Sequence, residues 1–175
     1  DMALFINGIP ISTIELKNHW TGQNARVHGI NQYKFKRDIT QPLLNFGRCV
    51  VHFAVDTDEV YMTTKLDGTN TFFLPFNLGH NYGKGNPPNP FGHKTAYLWD
   101  EVLTRESVAN IIQHFVRFDG KETDALSKKN LFFPRYHQMN VVRKLIADAS
   151  KNGVGQTYLI QHSAGSGKSN SRSEE

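Results

Sequence analysis

The chain has 175 residues, of which 38% are hydrophobic and 21% are charged. This balance is ordinary for a globular protein and favours neither a disordered nor a fibrous one, and the length fits one folded domain with the beginning of a second. The formal charge of +4 and the pI of about 9.2 indicate a weak preference for an acidic partner such as nucleic acid. The one cysteine, Cys49, excludes an intrachain disulfide, and no apolar run is long enough to span a bilayer, so we expect a soluble cytoplasmic protein.

The first predicted element is a β-hairpin. The chain begins at Asp1 without a starting Met or a leader, which we interpret as the mark of a fragment that lacks an N-terminal part. Residues 2–6 (MALFI) and 9–17 (IPISTIELK) are short apolar runs on either side of Asn7-Gly8, a strong hairpin signal. We therefore predict that these two runs pair as strands.

The polar residues 18–38 contain apolar side chains at roughly helical spacing, which predicts a short surface helix. Three further strands are predicted at residues 49–55, 59–65 and 71–76, because each run is β-branched or aromatic and is bounded by Asp, Gly or Asn. The Gly, Asn and Pro residues of 77–94 predict an irregular loop.

From Thr95 the pattern becomes helical, and the polar segment 119–130 marks a linker. We predict a first domain over residues 1–125, a linker over 126–134 and the start of a second domain over 135–175. In that second domain, residues 136–151 have helical spacing, and residues 157–161 (TYLIQ) are expected to form a buried strand.

Asp1, Glu15 and Lys17 form a D...ExK arrangement across the hairpin. Two carboxylates suit a hard cation, preferably Mg²⁺, which stabilises charge on a phosphodiester and prepares a water for attack. A Lys two residues after the Glu faces the same side of the strand, where its ammonium can orient that water. This pattern predicts a metal-dependent nuclease site, although ExK is also common on half-exposed strands without any catalytic role.

The register of the hairpin tests this interpretation. With a two-residue Asn7-Gly8 loop, Ile6 would pair with Ile9, so Asp1 would lie opposite Ile14 and face away from Glu15 and Lys17. A three-residue loop, with Gly8 left-handed in a bulge, pairs Phe5 with Ile9 and places Asp1 on the face of Glu15. We therefore predict the three-residue, bulged loop.

The segment DMALFINGIPISTIELKN resembles the nuclease segment of the R subunit of type I restriction endonucleases, within the PD-(D/E)XK nuclease superfamily. The similarity continues through RCVVHFAVDTDEVYMTTKLDG, FLPFNLG, GNPPNPFGHKTAYLWDEVL and FFPRYHQMNVVRKLI. The resemblance implies that Asp1 and Glu15 are metal ligands and that Lys17 is the catalytic lysine. The family also has a Gln, with a Tyr four residues later; Gln32 fits the first position, whereas Lys36 occupies the second.

A second set of signals lies near the carboxyl end. Gly165-Ser166-Gly167-Lys168-Ser169 has the form of a phosphate-binding loop, whose backbone N–H groups cradle phosphates while the Ser hydroxyl reaches Mg²⁺. His162 stands where the full pattern has Gly, and the family resembles this sequence there. The alternative is a flexible Gly-Ser tail.

Upstream, Gln138 resembles the adenine-reading Gln of superfamily 2 helicases and translocases, although a plain helix-surface Gln is an equally good interpretation without the family. The motifs that complete such a motor are absent, so we do not expect this chain to hydrolyse ATP.

We predict an α/β fold: a mixed, mostly antiparallel nuclease-like sheet with flanking helices, followed by the beginning of a RecA-like P-loop lobe. The resemblance implies an ATP-dependent type I site-specific deoxyribonuclease that acts on double-stranded DNA with Mg²⁺ and ATP, alongside methylation (M) and specificity (S) subunits. The alternative hypothesis is a catalytically inactive DNA-binding or assembly module, which would lack Mg²⁺-dependent cleavage.

Overall fold

The computed structural model of the protein describes residues 1–162. The chain divides into two compact units, residues 1–133 and residues 134–175. The phosphate-loop residues 165–169 that the sequence predicts therefore lie outside the described residues, and the second unit is described only over residues 134–162.

The first unit contains a five-stranded mixed sheet with the strand order β1-β2-β3-β4-β5. Strands β2 and β3 run parallel, whereas the other three neighbouring pairs are antiparallel. The mixed, mostly antiparallel sheet and the positions of its strands confirm the sequence prediction. The strands are β1 (Met2–Ile6), β2 (Ile9–Leu16), β3 (Val51–Val55), β4 (Val60–Thr63) and β5 (Leu74–Pro75).

The loop of the first hairpin differs from the prediction. Ile6 pairs with Ile9, so the loop has two residues, Asn7 and Gly8, and both have positive φ (49° and 80°). This is the geometry of a two-residue hairpin turn whose twist matches that of the strands, and Asn-Gly is its preferred sequence. The predicted three-residue loop was wrong.

A β-bulge farther along the hairpin nevertheless places Asp1 on the same face of the sheet as Glu15, as predicted. The register shifts between Leu4, which pairs with Ser12, and Phe5, which pairs with Pro10, so that Ile11 is the extra residue. Pro10 has no N–H to donate to the ladder, and a bulge is one of the few places where a sheet accepts proline. Continuing the register beyond Met2 and Ile14 places Asp1 opposite Glu15.

Residues between β2 and β3 form two π-helical turns, Ala25–Gly29 and Gln32–Lys36, in the region where the sequence predicts a short helix. The turn at Ala25 begins with a side-chain cap, because Asn24 Oδ1 accepts a hydrogen bond from Val27 N at 2.8 Å. Ala25 and Tyr33 are buried in a core cluster with Ala54 and Phe73. The helical spacing in the sequence thus located the helix, but not its wider π-helical winding.

Aromatic side chains form another part of the core of the first unit. Phe53 and Phe76 meet with ring centroids 5.3 Å apart, and Phe133 lies 6.0 Å from Phe53. A π-helical turn (Leu98–Val102) leads into α1 (Arg105–His114), as the helical pattern after Thr95 predicts.

Strands β6 (Arg117–Asp119) and β7 (Asn130–Phe132) pair as a small antiparallel sheet. The polar segment between them is therefore the loop of a hairpin, and the predicted linker over residues 126–134 overlaps β7.

The second unit contains one long helix, α2 (Tyr136–Asn152), which confirms the predicted helix over residues 136–151. Residues 157–161, which we predicted as a buried strand, are exposed and irregular, so that prediction was wrong. An apolar run forms a strand only where neighbouring strands pair with it, and no described residue of the second unit lies in a strand. Across residues 1–162, no helix has the length and apolar character needed to cross a membrane.

Candidate functional site

The four predicted nuclease residues converge on one face of the sheet. Glu15 lies in β2, and Lys17 follows two residues later, with its Nζ 3.7 Å from Glu15 Oε2. Lys17 Nζ donates a hydrogen bond to Gln32 Oε1 at 2.5 Å, and Gln32 Nε2 donates to Asp1 Oδ2 at 3.3 Å. Polar contacts therefore link residues from the hairpin and from the second π-helical turn.

The backbone around the site is tightly packed, which fixes the positions of these side chains. Lys17 N donates to Val55 O at 2.8 Å and so extends the parallel pairing of β2 with β3. Gly29 lies against the same strands: a Cβ at this position would be 3.0 Å from Ala54 Cβ and 3.5 Å from Lys17 Cγ. The first π-helical turn approaches the sheet this closely because Gly29 has no side chain.

Arg37 is the site residue that the sequence analysis missed. Its Nε donates to Glu15 Oε1 at 2.5 Å, and its Nη2 donates to Asp1 Oδ2 at 2.6 Å and also contacts Glu15 Oε1. In the sequence, Arg37 ends a short basic run that is typical of a solvated surface. Only the fold shows that its guanidinium joins the two carboxylates.

The carboxylates have the chemistry of a site for a divalent cation. Glu15 is only 2% exposed, and its Oε2 is buried without a hydrogen-bond partner. The Lys17 ammonium lies close enough to Oε2 for an ion pair but too far away for a hydrogen bond. Because a buried carboxylate oxygen without a partner is costly, Glu15 Oε2 is suited to a further cationic ligand. Oxygen ligands of this kind are those that Mg²⁺ prefers.

A buried polar chain lies beside Glu15. Thr13 Oγ1 lies 2.8 Å from Tyr33 Oη and 2.7 Å from His52 Nδ1. Burial raises the pKa of Tyr33, so its hydroxyl stays protonated. Tyr33, which is adjacent to Gln32 in sequence, therefore acts as a core residue that holds β2 to the second π-helical turn.

The buried His52 gives the stability of the fold a specific pH dependence. Burial lowers the pKa of His52 from 6.5 to about 4, so the unfolded chain takes up a proton at a pH where the folded chain does not. The stabilisation is therefore complete above pH 6.5 and is lost as the pH falls towards 4. We expect the free energy of unfolding to drop by about 2 kcal/mol between pH 7 and pH 5 because of this residue.

Chemical denaturation of the parent chain and of His52→Gln at the two pH values measures this effect. The drop should be smaller in the variant by about the His52 contribution of 2 kcal/mol. A drop of the same size in both proteins would assign the pH dependence to other groups.

A second polar cluster, which the sequence analysis did not predict, anchors the first π-helical turn. Buried Asp56 accepts hydrogen bonds from the backbone N–H groups of Ala25, Asp58 and Glu59 at 2.7–2.8 Å. His19 lies between Asp56 and Asp58, with 3.3 Å and 3.1 Å between the nearest ring nitrogen and carboxylate oxygen.

This cluster lines an open cavity of about 410 Å³. Both oxygens of Asp56 accept backbone hydrogen bonds. The cluster therefore has a structural role: it connects the end of β3 to the segment that follows β2.

The predicted nucleotide-binding residues are only partly within the described chain. Gln138 is buried near the start of α2, where its Oε1 accepts a hydrogen bond from Arg135 N at 2.8 Å. This contact caps the helix, and a role in reading adenine stays a prediction. Gly165, Ser166, Gly167, Lys168 and Ser169 lie outside the described residues.

Comparison with known proteins gives consistent similarities. Residues 1–71 match the family described as Type I restriction enzyme R protein N terminus. A Methanocaldococcus jannaschii protein named as the MjaVIIIP endonuclease subunit of a type I restriction enzyme is 28% identical over 177 aligned positions, covering 96% of the chain. The type I restriction enzyme HindI endonuclease subunit of Haemophilus influenzae is 23% identical over 170 positions, covering 97% of the chain.

The chain spans 15% and 16% of the lengths of these two relatives. No solved structure matches the chain.

Proposed function

We propose that this chain, a member of the family of type I restriction enzyme R proteins, carries the Mg²⁺-dependent DNA-cleaving site of such a protein in its first unit. The residues of the site are Asp1, Glu15, Lys17 and Gln32. The observation that carries the proposal is their convergence: four residues from positions 1 to 32 are joined by contacts of 2.5–3.7 Å, directly or through Arg37.

The donor set of the site fits the chemistry of phosphodiester hydrolysis. Asp1 and Glu15 would hold Mg²⁺, which supplies a polarised phosphoryl oxygen and an acidified water when bound. Lys17 holds a proton at Nζ beside Glu15 Oε2, where an ammonium can orient the attacking water and offset negative charge that develops on the phosphate. Gln32 fixes that ammonium through its Oε1 and orients Asp1 through its Nε2.

Burial makes this arrangement more effective. The side chains of Glu15 and Lys17 are 3% and 8% exposed, so water screens their charges only weakly, and their interaction with a bound cation or phosphate is correspondingly stronger. The side chain of Asp1 is 43% exposed, which leaves one side of the site open to an incoming DNA backbone. The similarity to type I restriction enzyme endonuclease subunits supports double-stranded DNA as the substrate that we propose.

The remaining activities of the R protein are proposals for the whole molecule. Residues 135–175 would begin the RecA-like lobe of an ATP-driven translocase, with Gln138 and residues 165–169 as its nucleotide-binding elements. The M and S subunits would supply methylation and sequence recognition. The similarity to type I endonuclease subunits supports these assignments.

Calorimetric titration of Mn²⁺ or Mg²⁺ into the chain tests the proposed site. We expect Glu15→Gln to weaken binding by at least about 100-fold, because it removes a ligand rather than an outer contact. Asp119→Asn is the matched control, since Asp119 is an exposed carboxylate in the small β6–β7 sheet, and it should leave the affinity unchanged. Binding that is indifferent to Glu15 would instead favour an inactive DNA-binding or assembly module.

A further inference from the structure

The guanidinium of Arg37 pairs with both carboxylates that would hold the proposed metal, through one oxygen of each. It contacts Glu15 Oε1 through both Nε and Nη2, and Asp1 Oδ2 through Nη2. These contacts bridge the two carboxylates: Asp1 directly precedes β1, and Glu15 lies in β2. Planar guanidinium donors suit carboxylates well, so this contact is a strong one.

A divalent cation and this guanidinium compete for the negative charge of the same two carboxylates. Mg²⁺ binds carboxylate oxygens at about 2.0–2.1 Å, so an ion between Asp1 and Glu15 would lie within a few ångströms of the Arg37 charge. Two like charges at that distance repel, and the repulsion is screened least beside Glu15, whose side chain is 3% exposed. Glu15 Oε2 is available to the metal, but a cation held by both carboxylates would lie close enough to Arg37 to weaken its contact with at least one of them.

Arg37 is placed so that it can leave. It follows the second π-helical turn directly, where the backbone becomes extended (φ −90°, ψ 129°), and its side chain is 34% exposed. Glu15, by contrast, is held in the middle of the sheet with its side chain 3% exposed. The arginine is thus the partner that can move towards solvent, while the buried carboxylate stays in place.

We propose that Arg37 is a displaceable latch of the site: it pairs Asp1 and Glu15 when no metal is bound, and it lowers the affinity for the metal by the cost of its own release. This inference rests on the proposed function. The position of Arg37 and the binding of the metal are therefore coupled. Metal binding favours the release of Arg37, and release of Arg37 favours metal binding to the same extent. The latch also relieves the repulsion between two carboxylates in a poorly solvated site.

Titration of Mn²⁺ into the parent chain, Arg37→Gln and Lys36→Gln tests the latch. We expect Arg37→Gln to bind Mn²⁺ about tenfold more tightly than the parent, or better, because no guanidinium has to be displaced. Lys36→Gln is the matched control: it removes the same charge from the neighbouring, exposed position, and it should change the affinity by much less. Arg37→Lys, which keeps the charge but loses the bridging geometry, should give an intermediate affinity and guards against a variant that fails to fold.

Thermal unfolding supplies a second readout that does not depend on catalysis. In chelator, Arg37→Gln should unfold at a lower temperature than the parent, because Glu15 and Asp1 lose their shared partner. Saturating Mn²⁺ should then raise the unfolding temperature of the variant by more than it raises that of the parent.

The outcomes separate the latch from the site. If Glu15→Gln abolishes binding while Arg37→Gln binds no more tightly than the parent, the nuclease site stands and the latch is overturned. If Arg37→Gln and Lys36→Gln strengthen binding equally, the effect is one of net charge and the latch is also overturned. If no variant binds Mn²⁺, the proposed metal site itself is wrong, and the latch fails with it.

Discussion

Replacing Lys17 by methionine is expected to lower the rate of Mg²⁺-dependent DNA cleavage by about 10³-fold, while the affinity for the metal stays equal to that of the parent or rises. The Lys17 ammonium lies 3.7 Å from Glu15 Oε2 and donates to Gln32 Oε1. In the proposed reaction it would therefore stand where negative charge develops, and it is not one of the proposed metal ligands. Methionine fills a similar volume in a side-chain site that is only 8% exposed, so packing should be preserved.

An assay of Mg²⁺-dependent cleavage of double-stranded DNA, together with Mn²⁺ titration of the chain, measures this effect. Lys36→Met is the matched control, since it removes a lysine charge from an exposed position nearby and should leave cleavage within about threefold of the parent, as surface changes usually do. A Lys17→Met protein that cleaves DNA at the parent rate would remove Lys17 from the mechanism. A variant that has lost metal binding would show that Lys17 acts on the carboxylates and not on the reaction.

The sequence brought the residues of the candidate site together because the chemistry proposed for it restricts both residue types and spacing. A Glu and a Lys two residues apart must share a face of a strand, and the structure brings Glu15 and Lys17 together. Whether Asp1 faces Glu15 depends on the register of the hairpin. The sequence predicted the bulge that sets this register in the loop, whereas the structure has it at Pro10 and Ile11. A loop bulge and a bulge at Pro10 and Ile11 both change the facing of a strand by one residue, so they have the same consequence for Asp1.

The sequence did not reveal the contacts of Arg37, and it wrongly predicted a strand at residues 157–161. Arg37 meets partners 22 and 36 residues away in sequence, and nothing local distinguishes it from the neighbouring lysines. The run TYLIQ has strand-forming residues, but a strand is a property of a pair of segments. No strand is present among the described residues of its unit to pair with it. Local pattern therefore identifies what a segment can do, whereas long-range contacts decide what it does.

The cluster around Asp56 also depends on contacts between residues that are distant in sequence. Ala25 N, 31 residues earlier, donates to Asp56 Oδ2, and this bond ties the first residue of the π-helical turn to the end of β3. Gln32 belongs to the π-helical turn that follows. The position of a site residue thus depends on a buried carboxylate that takes no part in the site.

Substituting Asp56 by alanine should therefore lower the free energy of unfolding by about 3 kcal/mol, because three backbone N–H groups lose a charged acceptor in a poorly solvated place. Asp58→Ala is the matched control. The Asp58 side chain is 38% exposed and pairs with His19 and Lys94 near the surface, and such pairs contribute within about 1 kcal/mol. Chemical denaturation of the two variants and the parent measures both effects, and equal losses would contradict a special role for Asp56.

The pH dependence of the stability that Asp56→Ala loses gives an independent check of the role of Asp56. Burial alone would raise the pKa of Asp56, but the N–H donors of Ala25, Glu59 and Asp58, together with His19, hold the pKa below its ordinary value of 3.8. A carboxyl whose pKa is lowered by folding stabilises the fold above its unfolded pKa, and this contribution disappears as the pH falls through the folded pKa.

The difference in stability between the parent and Asp56→Ala should accordingly be constant from neutral pH down to about pH 5 and shrink at lower pH, where the unfolded and then the folded carboxyl takes up a proton. A difference that instead grew on acidification would mean that protonated Asp56 is the form that the fold prefers. In that case a neutral, protonated Asp56 would connect β3 to the first π-helical turn, whereas the hydrogen bonds to Asp56 indicate a charged carboxylate.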